Sequence, residues 1–91
     1  MSEVRNDTAQ SRFELETEAG TAFAAYRRDG EVWTFTHTEV PPAAEGHGVA
    51  SRLVQAALEA VQAAGGRVVA QCAFVRAYIR RHPEWQGLAA D

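Results

Sequence analysis

The segment between residues 12 and 40 constrains the fold most strongly, because apolar and polar residues alternate along it and turn sequences divide it. Alternation at period two indicates β-strands that bury one face. The turns fall at Ala19-Gly20 and at Asp29-Gly30, and Asp-Gly is a strong hairpin signal since both residues tolerate positive φ. We therefore predict three antiparallel strands joined by short turns, at residues 12–18, 21–28 and 31–40.

The third strand leads into a loop. Strict alternation along it would place Trp33, Phe35 and His37 on one face. The other face would then carry Val32, Thr34, Thr36, Thr38 and Val40. Pro41-Pro42 cannot donate to a sheet ladder, so we expect the strand to end just before this pair.

A helical pattern follows the loop. Between Gly48 and Ala64 the apolar residues recur at i, i+3, i+4 and i+7, as in an amphipathic helix, and Gly65-Gly66 is typical of a helix C-terminus. We predict a fourth strand at residues 67–72 and a short helix at residues 74–81, with Phe74, Val75, Tyr78 and Ile79 buried. The order βββαβα predicts an α+β domain, with helices packed on a mainly antiparallel sheet.

Length and composition favour one folded domain. A chain of 91 residues has room for one hydrophobic core, which we place in residues 12–91, whereas residues 1–11 lack apolar periodicity and are expected to be a flexible N-terminal segment. A composition of 46% hydrophobic and 23% charged residues is typical of globular proteins. No signal peptide, run of ~18 apolar residues or cysteine pair is present, so we expect a soluble cytoplasmic protein without membrane contact.

The charge is unevenly distributed. A formal net charge of −3 argues against nucleic-acid binding, which normally uses a basic surface. Residues 1–45 hold nine acidic residues and four arginines, whereas residues 46–91 hold three acidic residues and five arginines. A polyanionic ligand would therefore favour the second half of the chain.

The loop at residues 41–51 is the most informative segment for function. Gly46 and Gly48 allow the backbone to approach a ligand closely, and the helix that follows offers unpaired N–H groups at the positive end of its dipole. Such a loop can cradle a phosphate without a cationic side chain, and Ser51 and Arg52 could add donors. The alternative is a connection that needs two flexible corners.

Four stretches, in this order along the chain, resemble the short single-domain members of the Gcn5-related N-acetyltransferase (GNAT) superfamily. They are His37-Thr-Glu-Val40, Gly46-His-Gly-Val-Ala50, Cys72-Ala-Phe-Val75 and Tyr78-Ile-Arg-Arg-His-Pro-Glu-Trp85. The resemblance runs from about Phe13 to Leu88. It implies that acetyl-CoA is the cofactor and that its acetyl group is transferred to an amine, which could belong to a small molecule or a protein.

The resemblance also implies where acetyl-CoA would bind. The backbone of Val40 would pair with the pantetheine arm, and the pyrophosphate would be held by Gly46, His47, Gly48, Val49, Ala50 and Ser51, with Arg52 beside them. The superfamily pattern is Arg or Gln, two residues of any type, Gly, one residue of any type, then Gly or Ala. Gly48 and Ala50 fill the last two fixed positions of this pattern. Glu45 stands at the first and departs from the pattern. An acid beside a pyrophosphate is repulsive, but the family uses the main chain at this position, so we expect binding to survive in weakened form.

Three residues are candidates for catalysis, each with a packing alternative. Cys72 would carry the acyl group as a nucleophile, as proposed for this cysteine in the family, or would fill space at a strand end. His37 would act as its general base or would pack against aromatic residues. Tyr78 would protonate the leaving CoA thiolate, as in larger members, or would belong to the apolar stripe of its helix. The three histidines lack metal-ligand spacing, so we expect no metal.

Two other functions remain open at this point. The chain could be a CoA-binding module without catalytic activity, which would account for Glu45, or a small interaction domain without a cofactor. The first strand would be a free sheet edge, so either a monomer or a homodimer is compatible with the sequence.

Overall fold

A computed structural model of the chain describes residues 3–90. Its elements, in chain order, are β1 (Arg5–Asp7), β2 (Arg12–Thr17), β3 (Gly20–Asp29), β4 (Val32–Glu39), α1 (Val49–Ala63), β5 (Arg67–Ala70) and α2 (Ala73–Arg81), with 3₁₀ turns at Pro42–Ala44 and Pro83–Leu88. The α+β class predicted from the sequence is confirmed, with one strand added before the predicted three. Within residues 3–90, no helix is long and apolar enough to cross a lipid bilayer.

The added strand, β1, lies in the segment for which the sequence predicted no structure. It pairs antiparallel with β2, with Arg5 opposite Glu14. The Arg5 guanidinium donates two hydrogen bonds to the Glu14 carboxylate, at 2.7 and 2.9 Å, and the Tyr26 hydroxyl donates to Asn6 Oδ1 at 2.7 Å. These partners lie nine and twenty residues away along the chain. Local periodicity therefore could not predict this strand.

The five strands form one sheet in the order β1-β2-β3-β4-β5. The first four are antiparallel neighbours, whereas β5 returns through α1 and pairs parallel to β4. The β4–β5 ladder joins Val32–Phe35 to Arg67–Ala70, but β4 continues to Glu39. In the part of the chain that is described, the last residues of β4 therefore lie beyond their parallel neighbour, and the sheet opens there.

A β-bulge in β4 changes which residues face the core. His37 and Phe35 pair with consecutive residues of β3, so Thr36 is an extra residue in the strand. Beyond the bulge, Thr38 continues the core face of Phe35, while His37 lies on the opposite face. The strict alternation predicted along the whole strand was therefore wrong after residue 35.

One continuous hydrophobic core joins the sheet to both helices. Helix α1 contributes Leu53, Val54, Ala57, Leu58 and Val61, and α2 contributes Val75, Tyr78 and Ile79. The two helices meet where Gln55 Oε1 accepts hydrogen bonds from the Tyr78 hydroxyl at 2.5 Å and from Trp85 Nε1 at 3.1 Å. The prediction that Phe74 is buried was wrong, since this side chain is 37% exposed.

Candidate functional site

The loop after β4 has a backbone that requires glycine at two positions. Gly46 has φ = 83° and Gly48 has φ = 73°, both in the left-handed region. A Cβ at either position would meet no atom within 4 Å, so conformation is the reason for glycine rather than lack of space. Both residues are exposed, whereas Ala44 is buried and anchors the turn before them. The loop therefore exposes its main chain.

Helix α1 begins at the end of this loop with its N-terminal N–H groups available. The N-cap is Gly48, which has no side chain to accept a hydrogen bond from these N–H groups, and the first turn contains no acidic residue. The first intrahelical bond runs from Arg52 N to Gly48 O at 3.1 Å, so the preceding N–H groups have no intrahelical acceptor. Together with the helix dipole, these donors favour an anion at this end of α1.

A cavity of about 310 Å³ lies between the loop and the first turn of α2. Its wall consists of Val40, Glu45, Gly46, Gly48, Val49, Ala50, Ser51 and Phe74. Six of the eight residues predicted to bind the cofactor thus come together in one wall. Their role in binding stays a prediction.

The other two predicted residues, His47 and Arg52, do not line this cavity. Both are exposed, and Arg52 Nη1 pairs with Glu3 Oε1 at 2.8 Å. Exposed ion pairs of this kind contribute little to stability, typically about 0.2–1 kcal/mol. Arg52 could therefore exchange Glu3 for a phosphate oxygen at small cost.

Cys72 lies where the sheet opens. The carbonyl oxygen of Phe35 accepts hydrogen bonds from the N–H groups of both Gln71 and Cys72, at 3.0 and 2.9 Å, and the chain then turns away from β4 into α2. Cys72 is the N-cap of α2 and is only 9% exposed. Its thiol donates a hydrogen bond to Thr38 Oγ1 at 3.3 Å. The thiol therefore faces the last residues of β4 but does not line the cavity.

His37 is not brought next to Cys72, because the bulge at Thr36 turns it to the opposite face of the sheet. Its Nε2 lies 3.0 Å from Glu39 Oε2, and its ring meets Phe23 edge-on with centroids 6.0 Å apart. The side chain is 61% exposed. The predicted pairing of a histidine base with the cysteine thiol is therefore absent from this arrangement.

Tyr78 is enclosed between the two helices rather than in the cavity wall. Its side chain is buried, its hydroxyl is bonded to Gln55, and its ring stacks on His82 with centroids 4.0 Å apart. Burial, with a smaller contribution from the carboxylates of Glu84 and Glu59, raises the pKa of the Tyr78 hydroxyl above its ordinary value. These surroundings favour the packing role over proton donation.

Two residues of the site, Thr38 and Phe74, were not predicted from the sequence to be functional. Thr38 contacts the cysteine thiol, and Phe74 lines the cavity. Both lie inside stretches that carry the family resemblance, which was the available signal. Across residues 3–90, no group of three or more His, Cys, Asp or Glu side chains could hold a metal ion.

Comparisons with known proteins agree with this architecture. The NMR solution structure of a GCN5-like candidate N-acetyltransferase from Staphylococcus aureus matches 98% of this chain and 90% of that chain, with a TM-score of 0.68 and 19% sequence identity. At that identity the likeness shows the fold alone. A family model described as GCN5-related N-acetyl-transferase matches residues 12–88. The chain therefore belongs to the GCN5-related N-acetyltransferase family, as the resemblance in its sequence indicated.

Proposed function

We propose that this protein binds acetyl-CoA in the cavity beside the glycine loop and transfers the acetyl group to a primary amine. One observation carries the proposal: a loop with two left-handed glycines, an uncapped helix N-terminus and Val40, the residue after β4, all line one cavity in a chain of this family. The arrangement provides N–H donors for phosphate and an apolar wall for the rest of the ligand.

The chain's own residues act mainly by binding and orientation. The main chain of Gly46 to Ser51 would hold the pyrophosphate. The main chain of Val40 would pair with the pantetheine arm, because Val40 directly follows β4 and lies beyond the last residue of β4 that pairs with β5. Acetyl-CoA supplies an activated acetyl group. The amine nitrogen forms a bond to the acetyl carbon as the carbon–sulfur bond breaks, and the proton lost by the amine balances the charge of the released CoA thiolate.

Direct attack by the amine is favoured over transfer through Cys72. The thiol is buried and donates a hydrogen bond to Thr38, and His37, which could have served as its base, lies on the other face of the sheet. A cysteine nucleophile reacts as the thiolate, which needs a base or a stabilising charge nearby.

A CoA-binding module without catalytic activity is the second candidate. Glu45 is compatible with it, because an exposed carboxylate in the cavity wall weakens pyrophosphate binding, and a module that need not transfer the acetyl group efficiently tolerates weaker binding. Acetylation of an added amine, followed by mass spectrometry, distinguishes the two functions. The second candidate predicts CoA binding with no acetylated product.

Thermal unfolding tests whether the cavity binds acetyl-CoA. A ligand at ~100 times its Kd should stabilise the fold by about 2.7 kcal/mol, which is several degrees for a domain of this size. Gly48→Glu should abolish the shift, because it adds a negative charge and strains a left-handed backbone.

Gly65→Glu is a matched control for this experiment. Gly65 lies just beyond the other end of α1, its φ is 72°, and a Cβ there would also meet no atom within 4 Å. This variant should keep the ligand-induced shift relative to its own unliganded Tm. Absence of a shift in the wild-type protein at millimolar acetyl-CoA would reject binding.

A further inference from the structure

We propose that Phe74 sets the selectivity of the cavity for CoA and its thioesters over plain nucleotides, by packing on the pantetheine arm. This inference rests on the proposed function and adds a specificity residue to it. Three observations carry it: the exposure of the ring, its placement by the fold, and the division of the cavity wall into two chemical halves.

Phe74 is the one large hydrophobic side chain of residues 3–90 that is exposed, with 37% of its surface open to water. A single exposed apolar residue is ordinary on a protein surface and would mean nothing by itself. This ring, however, lies in the cavity wall that also contains Val40 and Val49. Its exposed surface is therefore available to an occupant of the cavity.

The fold holds Phe74 in this place. The hydrogen bonds from Gln71 and Cys72 to Phe35 O turn the chain, so the first turn of α2 stands beside the end of β4. The next residue, Val75, is fully buried and fixes the rotation of the helix. Phe74 therefore lies just outside the buried face of α2, one turn before Tyr78. Because these contacts anchor the backbone, the ring needs no ligand to reach the cavity.

The wall of the cavity has two chemically different halves. Gly46, Gly48 and the first turn of α1 offer N–H donors, which suit phosphate oxygens. Val40, Val49 and Phe74 offer apolar surface, which contributes nothing to holding a phosphate. A ligand that uses both halves joins phosphate to a weakly polar chain, as CoA joins its pyrophosphate to pantetheine. A nucleotide without that arm would use the donor half alone.

The test is an NMR titration of the wild-type protein, Phe74→Ala and Phe74→Leu with CoA, ADP and free pantetheine. NMR detects millimolar affinities, so all three ligands can be compared. Phe74→Ala should weaken CoA and pantetheine binding by about tenfold, because the ligand no longer removes an aromatic surface from water. ADP binding should change by less than about twofold, as expected for a surface side chain that makes no contact. Phe74→Leu keeps apolar surface, so its affinity for CoA and pantetheine should fall between those of the wild-type protein and Phe74→Ala.

Gly48→Glu should give a different pattern, since it should weaken the binding of CoA and of ADP together. If the wild-type protein binds no CoA at millimolar concentration, the proposed function fails and this inference fails with it. If CoA binds but Phe74→Ala weakens ADP as much as CoA, or weakens neither, the selectivity role of Phe74 is overturned while the proposed function stands. The spectrum of each unliganded variant verifies that the exposed substitution has left the fold intact.

Discussion

Replacing Glu45 by glutamine should tighten CoA binding, which is a gain that few substitutions in a binding site produce. The Glu45 side chain is exposed, and the residue forms part of the cavity wall. A cavity of about 310 Å³ is roughly 8 Å across if it is treated as a sphere. At ~8 Å in a water-like dielectric, the carboxylate and each pyrophosphate charge repel by about 0.5 kcal/mol. Two such charges correspond to a roughly fivefold change in Kd.

The same reasoning predicts a salt dependence that identifies the cause. The Debye length is about 30 Å at 0.01 M salt and about 8 Å at 0.15 M. The gain from Glu45→Gln should therefore be about fourfold at low salt and should shrink to about twofold at physiological ionic strength. Isothermal titration calorimetry at both salt concentrations measures it.

Glu31→Gln is the matched control for this charge removal. Glu31 is exposed and stands at the opposite end of β4, roughly 30 Å from Val40 if the strand rises about 3.3 Å per residue. Its substitution should leave the Kd unchanged at both salt concentrations. An unchanged Kd for Glu45→Gln at low salt would refute the reasoning, because the phosphates would then lie away from this carboxylate.

Three further substitutions separate catalysis from packing. His37→Ala should keep the rate of acetyl transfer within about twofold of wild type in an initial-rate assay, because His37 is exposed on the face of the sheet away from Cys72. A large loss of rate would support a role for His37 as general base. Cys72→Ala should also retain transfer, whereas complete inactivity in a folded variant would contradict direct attack. Tyr78→Phe should lower the free energy of unfolding in urea by about 1 kcal/mol, since Gln55 loses one donor, and an unchanged value would contradict the packing role.

The elements that could be predicted from sequence are those whose signals are local. The period-two segments, the hairpin signal at Asp29-Gly30 and the stripe of α1 are readable within a few residues. These three strands and α1 lie within one residue of their predicted bounds, whereas the hairpin loop is one residue later, at Gly30 and Glu31, because Asp29 still pairs with Val32. Strand β1 was missed because Arg5 is held by Glu14 and Asn6 by Tyr26. Those partners become neighbours only once the sheet has formed.

The same distinction explains the site. The glycine loop was predictable, because a strand end, two glycines and a helix start follow one another along the chain. The contact of Cys72 with Thr38 rather than with His37 was not predictable, since it depends on one bulged residue in the β3–β4 register. The exposure of Phe74 was also hidden, because helical periodicity places it at the margin of a buried stripe and cannot show that a cavity begins there.

The most direct test of the account is to map acetyl-CoA binding residue by residue with backbone amide NMR. We predict that the largest chemical-shift changes fall on the amides of Gly46, Gly48, Val49 and Ala50, with smaller changes at Phe74. Amides of β2 should not move. Changes confined to the arginines of α2, or none at saturating acetyl-CoA, would contradict the claim that this loop and helix N-terminus hold the ligand.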